Sequence, residues 1–359
     1  MRAYLAVLLI SLVTFCNCPK DTQSPNVIKW PDNLPVYDHI VIVVEENKDY
    51  EEVIGNPNAS YINDVLKKEG ANFIQMYGEE HYSQGNYFWL FSGDNQTVGF
   101  SDQVPSRENN PDYPFTTSNL GQQLIAKGLT FKGYAESLPF IGDTVATSNV
   151  KGPFARKHVP WISFGNVPNG STVETSSNLR FKDFPSDYNL LPVVSFVIPN
   201  LDNDMHNCYP PNCDSSDAGA MMQCCIKKGD DWLRENLDSY YQWAKENNSL
   251  LILTFDENDD KRGYQGLTNP MVGVESEFCG SSQMDPEYCE DLENRAITIF
   301  AGAHIKQGDY AEGEGITHVN ILRTIEAMYG LPKSGRQQPN AAGYEISDDY
   351  IITDVFEPK

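Results

Sequence analysis

The sequence is poor in basic residues and in long apolar runs. It has 26 Lys and Arg against 50 Asp and Glu in 359 residues, so its formal net charge is −24. This charge excludes binding to nucleic acid, or to an anionic membrane, through a general basic surface. The apolar run over residues 3–13 is shorter than the about 20 residues that a membrane-spanning helix needs. No later segment is apolar enough to act as an anchor, so we expect no stable membrane anchor.

The amino-terminal residues have the pattern of a secretory signal peptide. Arg2 precedes the apolar run, and small residues around position 17 provide a cleavage site. We therefore expect residues 1–18 to be a signal peptide and residues 19–359 to form one secreted domain, extracellular or periplasmic. The alternative is a bacterial lipoprotein that is lipidated at Cys16 or Cys18. Sequons for N-glycosylation occur at Asn58, Asn95, Asn169 and Asn247.

Beyond the leader, cysteine is absent from most of the chain. The other cysteines are Cys208, Cys213, Cys224, Cys225, Cys279 and Cys289. An even number of cysteines in an exported chain predicts disulfides, here confined to two insertions at 207–228 and 261–293. Proximity along the chain favours the pairs Cys208–Cys213 and Cys279–Cys289. A zinc site is the alternative, but adjacent Cys224 and Cys225 lack the usual two-residue spacing of zinc ligands.

Internal repeats and low-complexity linkers are also absent, and strand-like segments alternate with helix-like segments. Apolar runs predict strands over 39–44, 130–134, 193–198, 250–255 and 296–301. Apolar residues at helical spacing predict helices over 61–69, 118–127, 230–246 and 317–329. This alternation predicts an α/β fold in which a mostly parallel central sheet is sandwiched between helices.

Carboxylate, amide and imidazole side chains gather where three of the predicted strands end. The three clusters are Glu45-Glu46-Asn47 after the first strand, residues 200–206 after the strand at 193–198, and residues 256–260 after the strand at 250–255. In an open α/β sheet the carboxyl ends of the strands form the ligand-binding edge, so these clusters should converge. Such side chains bind divalent metal ions. A bound cation would neutralise the charge of a phosphate ester, so the pattern favours metal-assisted phosphoester chemistry.

Ser83 is the candidate nucleophile. It lies between His81 and Asn86, and an apolar run of helical character begins at Tyr87. Ser83 would therefore lie near a helix N-terminus, where backbone N–H groups and the helix dipole stabilise an alkoxide and a phosphate. A serine before a helix is more often a simple N-cap. The flanking His81 and Asn86 favour the nucleophile over the cap.

Several short motifs occur in a fixed order along the chain. They are Glu46-Asn47 after a strand, His81-x-Ser83-x-x-Asn86-Tyr87 with Phe91-Ser92-Gly93, Tyr134-Ala135-Glu136-x-x-Pro139, Pro199-Asn200-Leu201-x-x-Asp204-Met205-His206, Thr254-Phe255-Asp256-Glu257, and His318 before Leu322-Arg323-Thr324-Ile325-Glu326. With these motifs the chain resembles the phosphoesterase family of secreted acid phosphatases and phospholipases C, in the alkaline-phosphatase-like superfamily. The resemblance covers nearly the whole chain after the leader and implies an alkaline-phosphatase-like fold.

The resemblance implies a role for each matching position. Ser83 would be phosphorylated transiently and regenerated by water. The first ligand set, which would hold the metal that Ser83 faces, is Glu46, Asn47, Asp256 and Glu257. The second ligand set would be Asp204, His206 and His318, with Asp202 as a substitute for Asp204. The phosphate pocket would be lined by His81, Asn86 and Glu136, and His158 would be the leaving-group acid or a phosphate contact.

We therefore expect a secreted phosphomonoesterase with an acidic optimum. Its cofactor would be a divalent metal ion, one or two per chain, and its partners small phosphorylated substrates or phospholipid head groups. The alternatives are a phospholipase C, a phosphoinositide phosphatase, or a non-catalytic metal-binding protein on the same scaffold. The acidic surface argues against the interfacial binding that a phospholipase needs. A sulfatase relative is disfavoured because the chain has no Cys-x-Pro-x-Arg nucleophile motif.

Some positions depart from the family or lie outside its motifs. Related sequences usually have proline where Tyr82 stands, so the turn before Ser83 should differ in shape. His39 lies at a strand start and is expected to be structural, and Asp259 and Asp260 are expected to be solvated. His304 follows the strand at 296–301, and a ligand role for it is the alternative to a structural one.

Overall fold

The computed structural model describes residues 31–98, 101–149, 153–208, 210–259, 294–311, 315–335 and 346–357. Three sequence-based predictions lie outside these residues, namely the signal peptide at 1–18, the insertion at 261–293, and the pair Cys279–Cys289. Asp260 lies outside them as well. Among the described residues, no helix is both long and apolar enough to span a bilayer.

A mixed sheet forms the centre of the described structure. The described strands are β1 (His39–Glu45), β2 (Ala71–Tyr77), β3 (Phe131–Ala135), β4 (Thr147–Ser148), β5 (Phe154–Ala155), β6 (Asn178–Arg180), β7 (Val194–Ile198), β8 (Ser249–Phe255), β9 (Arg295–Gly302), β10 (Gly308–Tyr310) and β11 (Ile316–Thr317). The order in the main sheet is β10-β2-β9-β8-β1-β7-β3-β6, with β11 beside β2, and β4 pairs with β5 separately. All neighbours in the main sheet are parallel except those of β9. The predicted α/β fold with a mostly parallel sheet is confirmed.

Helices connect these strands. They are α1 (Tyr50–Val53), a π-helix (Ile62–Lys67), α2 (Ser83–Ser92), α3 (Leu120–Ala126), α4 (Ala218–Glu246) and α5 (His318–Tyr329). Short 3₁₀ turns occur at Arg156–His158, Pro160–Ser163, Phe181–Asp183 and Tyr188–Leu190. The four predicted helices are all present, but α4 begins well before the predicted start at Asp230. Asp217 caps its N-terminus, because the Asp217 side chain accepts a hydrogen bond from the backbone N–H of Ala220 at 2.8 Å.

The insertion at 207–228 is fastened by two disulfides. Cys208 pairs with Cys225 and Cys213 pairs with Cys224, at Cα–Cα distances of 5.0 and 5.9 Å. The predicted pair Cys208–Cys213 is therefore wrong. The reason is the early start of α4, which brings Cys224 and Cys225 onto a helix that faces two points of the preceding loop. All four cysteines in the described part of the chain are in disulfides, which leaves none of them for zinc.

The register of the strands brings their carboxyl ends to one edge of the sheet. Glu45 at the end of β1 lies beside Phe255 at the end of β8, and Ala135 at the end of β3 lies beside Ile198 at the end of β7. The polar clusters that follow these strands therefore meet at this edge, as the sequence predicts.

The antiparallel direction of β9 sends its own carboxyl end to the opposite edge of the sheet. His304, which follows β9, lies there, with Nε2 3.1 Å from Asn248 Oδ1. A ligand role for His304 at the site is thereby excluded. His39 also lies at this opposite edge, with Nδ1 3.1 Å from the carbonyl oxygen of Pro192, as expected for a structural residue.

Candidate active site

Ser83 is the first residue of α2, a helix whose ten residues are all buried. Tyr82, at the N-cap, has φ 78° and ψ 110°, a backbone region that non-glycine residues rarely adopt. A proline, whose φ is fixed near −65°, could not take this conformation. The turn before Ser83 therefore differs from a proline-containing turn, as the sequence predicts.

The Ser83 hydroxyl does not cap the helix. It donates a hydrogen bond to Glu46 Oε2 at 2.9 Å, and Glu257 Oε1 lies at 3.5 Å. The simple N-cap interpretation of Ser83 is thus wrong. The hydroxyl points instead at the carboxylates that follow β1 and β8.

A tight turn before α2 sets the position of Ser83. The Asn86 side chain donates to the carbonyl oxygen of Glu80 at 2.5 Å and accepts from the Glu80 N–H at 3.1 Å. Gly85 is required here, because a Cβ at this position would lie 1.5 Å from Glu80 Oε1. Asn86 therefore closes the turn that presents Ser83.

The first ligand set comes together around Ser83. The Asn47 side chain donates to Glu257 Oε1 at 2.7 Å, and the Asn47 N–H lies 3.3 Å from Asp256 Oδ1. His81 Nδ1 lies 2.7 Å from Glu257 Oε2. Glu46, Asp256, Glu257 and His81 are all buried. The structure thus brings His81 and the four residues of the first ligand set to one place.

Glu46 also contacts residues outside the first ligand set. Its Oε1 accepts a hydrogen bond from the Tyr87 hydroxyl at 2.5 Å and lies 3.3 Å from His158 Nε2. The rings of Tyr87 and His158 stack at 5.0 Å with an angle of 10°. The Glu46 N–H donates to the carbonyl oxygen of Asp204 at 2.7 Å. Ligand atoms of Glu46, His158 and Asp204 lie within 4.8 Å of one another, close enough to share a metal ion.

The second ligand set is not assembled in the same way. His206 donates its backbone N–H to Asp204 Oδ1 at 2.9 Å, whereas its ring Nδ1 lies 3.3 Å from Asn207 Oδ1. His318 lies between Glu79 Oε2, 2.6 Å from Nδ1, and the carbonyl oxygen of Phe255, 2.9 Å from Nε2. The rings of His206 and His318 therefore have partners other than the Asp204 carboxylate.

Glu136 supports the loop after β7. Its carboxylate accepts hydrogen bonds from the Asn200 N–H at 2.9 Å and from the Asn203 side chain at 2.9 and 3.1 Å. This loop carries Asp204, whose N–H donates to the carbonyl oxygen of Asn200. Asp202 accepts from the Asn207 side chain at 2.7 Å. Glu136 thus fastens the Asp204 loop to the end of β3.

Burial dominates the electrostatics of the site. It raises the pKa of Glu46 to about 7, although Lys157 and the hydrogen bonds from Tyr87 and Ser83 oppose the shift. Burial and the nearby Glu46 carboxylate raise the pKa of Asp204 and of Asp256 well above the usual range. Burial and the Lys157 charge lower the pKa of His158 far below its usual value, so its ring is neutral.

These residues fit a divalent cation. Asp204 Oδ2, Asp256 Oδ2 and Asn47 Oδ1 are buried and have no hydrogen-bond partner within the described ranges. Buried oxygens without a partner are costly, and a cation would satisfy them and the neighbouring carboxylates together. Carboxylate, amide and neutral imidazole groups are suitable donors for such an ion.

Sequence analysis did not identify three site residues. Tyr87, on the same face of α2 as Ser83, bonds to Glu46. Glu79 follows β2, a strand that was not predicted, and bonds to His318. Lys157 precedes His158 and pairs with Asp102 at 2.7 Å. The signal that was available for Glu79 was an acidic pair, Glu79-Glu80, a few residues before Ser83.

Comparisons with known proteins identify the family of this chain. A family model described as the phosphoesterase family matches residues 63–332. A phosphatidylinositol-3-phosphatase of Mycobacterium tuberculosis is 40% identical over 304 residues, which are 84% of this chain and 80% of that protein. A probable acid phosphatase of Kluyveromyces lactis is 28% identical over 311 residues, 85% of this chain and 61% of that protein.

Solved structures support the fold. The crystal structure of a lipoteichoic acid synthase from Listeria monocytogenes matches with a TM-score of 0.51 and 10% sequence identity. The match covers 89% of this chain and 77% of that chain, and it speaks for the fold alone. The family model and the mycobacterial relative confirm the predicted family and the enzyme class, a hydrolase of phosphoric esters. The chain belongs to the phosphoesterase family.

Proposed function

We propose that this protein hydrolyses phosphate monoesters with Ser83 as the nucleophile. The observation that carries the proposal is the Ser83 hydroxyl, which points at Glu46 from the N-terminus of α2. Backbone N–H groups at a helix N-terminus and the helix dipole favour bound phosphate. The Ser83 oxygen would form a bond to phosphorus while the ester P–O bond breaks and the alcohol leaves. Water would then hydrolyse the phosphoserine and release phosphate.

The first ligand set is proposed to hold a divalent metal ion beside Ser83. The ion would neutralise charge on the phosphoryl oxygens and favour the deprotonated serine. Glu46 accepts a hydrogen bond from the Ser83 hydroxyl, so it is placed to take the proton when Ser83 attacks phosphorus. Asn47 joins Asp256 and Glu257 beside Glu46 through its backbone and side-chain hydrogen bonds.

His158 and Asp204 are proposed to complete this centre from the other side of Glu46. The neutral His158 ring suits a metal ligand or a phosphate contact better than a leaving-group acid. His206 and His318 stay predictions as ligands. Glu79 is the kind of carboxylate partner that metal-bound histidines have, but Nε2 of His318 lies against the carbonyl oxygen of Phe255, so metal binding by His318 would require that contact to break.

The phosphate pocket is proposed to include His81 and Asn86. Both lie in the turn around Ser83, and His81 is held by Glu257. Glu136 is proposed to act through the Asp204 loop, because its hydrogen bonds run to Asn200 and Asn203.

A phosphoinositide substrate is the second candidate. The mycobacterial relative, at 40% identity, is named a phosphatidylinositol-3-phosphatase, whereas the yeast relative is named a probable acid phosphatase. Both names describe removal of a phosphate group, so the two candidates share the chemistry of Ser83 and differ in the leaving alcohol. A phospholipase C would instead act on a phosphodiester and cleave the bond between the glycerol oxygen and phosphorus.

Export is proposed from the two disulfides, which form in oxidising compartments. Of the predicted sequons, Asn95 is unsuitable for a glycan in the folded chain. It is 1% exposed, and its side chain donates to Glu80 Oε2 at 3.0 Å.

Kinetics of Ser83→Ala on 4-nitrophenyl phosphate test the proposed chemistry. We expect kcat to fall by about 10³-fold or more, as for other deleted nucleophiles. Ser195→Ala is the matched control, because Ser195 is a buried serine in β7 whose hydroxyl has no hydrogen-bond partner in the described structure. Turnover by Ser83→Ala at the rate of Ser195→Ala would refute the proposal.

A substrate panel separates the candidates. Phosphate release would be measured from 4-nitrophenyl phosphate and from short-chain phosphatidylinositol 3-phosphate, and phosphocholine release from phosphatidylcholine, each between pH 4.5 and 8. A preference for the lipid monoester would favour the phosphoinositide phosphatase. Release of phosphocholine would point to a phospholipase C, and an optimum above neutral pH would contradict the acid phosphatase.

A further inference from the structure

Lys157 is a cation beside the site whose side chain is partly exposed to solvent. The side chains of Glu46, Ser83, His158 and Asp204 are at most 2% exposed. Lys157, by contrast, is 17% exposed and its partner Asp102 is 33% exposed. Lys157 is therefore more accessible to an incoming anion than the buried residues of the site.

Asp102 fixes that ammonium at the N-terminus of α2. One carboxylate oxygen of Asp102 lies 2.7 Å from Lys157 Nζ, and the other accepts the N–H of Gln84 at 3.2 Å. Gln84 directly follows Ser83, and its side chain donates to the carbonyl oxygens of Ser101 and Gln103 at 3.1 and 2.9 Å. The Asp102 carboxylate therefore connects the Lys157 ammonium to the first turn of α2, the helix that begins at Ser83.

The positive charge of Lys157 acts on three carboxylates of the site. It lowers the pKa of Glu46, Asp204 and Asp256, although burial outweighs it at each of these groups.

Lys48 provides a contrast. It also lies beside the first ligand set, but its ammonium binds the carbonyl oxygen of Asn47 and lies 3.5 Å from Asp259. Its side chain is 2% exposed, so it stabilises the backbone of the site and does not face an incoming group.

We propose that Lys157 binds the phosphoryl group of the substrate, with Asp102 holding its ammonium beside the N-terminus of α2. The proposal rests on the proposed function of Ser83 and adds a residue that recognises the dianionic end of any phosphate monoester. An ammonium at this place can share its hydrogen bonds between Asp102 and a phosphoryl oxygen, since a lysine has three donors.

The test uses inorganic phosphate as a competitive inhibitor of 4-nitrophenyl phosphate hydrolysis by the full chain. Lys157→Met should raise the inhibition constant of phosphate by about tenfold or more, the effect of losing one charge-assisted hydrogen bond. Lys157→Arg should restore phosphate inhibition to within a few-fold, because the charge is kept. Lys132→Met is the matched control, as Lys132 in β3 is also half-buried and its ammonium binds the carbonyl oxygens of Val173 and Ser176.

Lys157→Gln guards against a folding defect, because glutamine can still donate to Asp102 without the charge. It should raise the inhibition constant as Lys157→Met does. An unchanged inhibition constant in folded Lys157→Gln or Lys157→Met, or an equal rise in Lys132→Met, would overturn the proposal. Failure of the Ser83 mechanism would be seen separately, as full turnover by Ser83→Ala with the effect of Lys157 on phosphate inhibition intact.

Discussion

The first and second ligand sets differ in where their residues lie relative to the strands of the sheet. The first set consists of residues that directly follow two neighbouring parallel strands, β1 and β8, and its members hydrogen-bond to one another and face Ser83. In the second set, Asp204 lies beside Glu46 and His158, whereas His206 and His318 have other partners.

This difference shows what strand register determines and what it leaves open. A residue one position beyond a strand has little freedom, because the ladder of hydrogen bonds fixes the backbone that precedes it. Asp204 and His206 lie several residues beyond β7, in a loop whose path depends on Glu136, Asn200 and the disulfide at Cys208. Their position is therefore decided by loop contacts.

The largest difference in kcat/KM should appear between a variant of Glu46 and the same variant of its neighbour Glu45. Glu46→Gln should lower kcat/KM on 4-nitrophenyl phosphate by about 10³-fold, the loss expected when several kcal/mol of metal-assisted stabilisation disappears. Glu45→Gln is the control, because Glu45 is an equally buried neighbour that makes no described contact with Ser83, and burial and the nearby Asp204 carboxylate raise its pKa well above the usual range. Similar losses in both variants would contradict a special role for Glu46.

The second ligand set can be dissected by its metal affinity. Asp204→Asn should weaken binding of a divalent cation by about 10- to 100-fold or more, since ligand and outer-shell changes have effects of this size. His206→Gln should change the affinity much less, because the His206 ring bonds to Asn207. The measurement is calorimetric titration of the metal-free protein with Zn²⁺, Mn²⁺ and Mg²⁺. Equal losses of metal affinity in both variants would instead support Asp204 and His206 as ligands of one ion, as the sequence predicts.

The raised pKa of Glu46 predicts how pH acts on the metal-free protein. The pKa is about 7 in the folded state against an ordinary value of 4.5, so the folded state binds more protons between these pH values. The contribution of Glu46 to the free energy of unfolding therefore falls as pH rises from 4.5 to 7, by on the order of 1 to 3 kcal/mol.

Thermal unfolding of metal-free wild type and Glu46→Gln between pH 4.5 and 7.5 measures this effect. The stability of the variant relative to wild type should increase with pH. Added divalent cation should raise the wild-type Tm more at pH 7.5 than at pH 5, because metal ligands must be deprotonated. A relative stability that falls with pH would contradict the environment described for Glu46.

The smallest effect on activity is expected from the disulfides. Replacing Cys213 and Cys224 by alanine should lower the free energy of unfolding by about 2 to 3 kcal/mol, since the closed loop is short. Replacing Cys208 and Cys225 should also loosen the Asp204 loop, because Cys225 Sγ lies 3.3 Å from the carbonyl oxygen of Met205. Denaturant titrations and metal affinities of the two double variants measure this. A loss of metal affinity in the first double variant alone would be inconsistent with the structure.

Much of the fold and the first ligand set could be predicted from the sequence. Continuous apolar runs identify β1, β7 and β8, and the residues that follow them need no tertiary information to be placed at one edge. Ser83 could be located next to a helix, but its orientation toward Glu46 depends on the unusual backbone of Tyr82.

The remaining features depend on contacts that are distant in the sequence. β2 was missed because a bulge between Phe73 and Met76 breaks its two-residue period. His158 and Lys157 lie on a 3₁₀ turn that follows β5, a two-residue strand outside the main sheet, so spacing does not reveal that they reach Glu46 and Asp102. The pairing of Cys208 with Cys225 could not be predicted without knowing that α4 begins at Ala218.

The most direct measurement of the central claim is to trap the phosphorylated enzyme. Wild-type protein would be mixed with 4-nitrophenyl phosphate, quenched in acid within the first turnovers and digested for mass spectrometry. The account predicts a phosphate on the peptide that contains Ser83, at the Ser83 position, and none in Ser83→Ala or in protein quenched before substrate is added. A phosphorylated residue other than Ser83, in a wild-type sample that turns over normally, would contradict it.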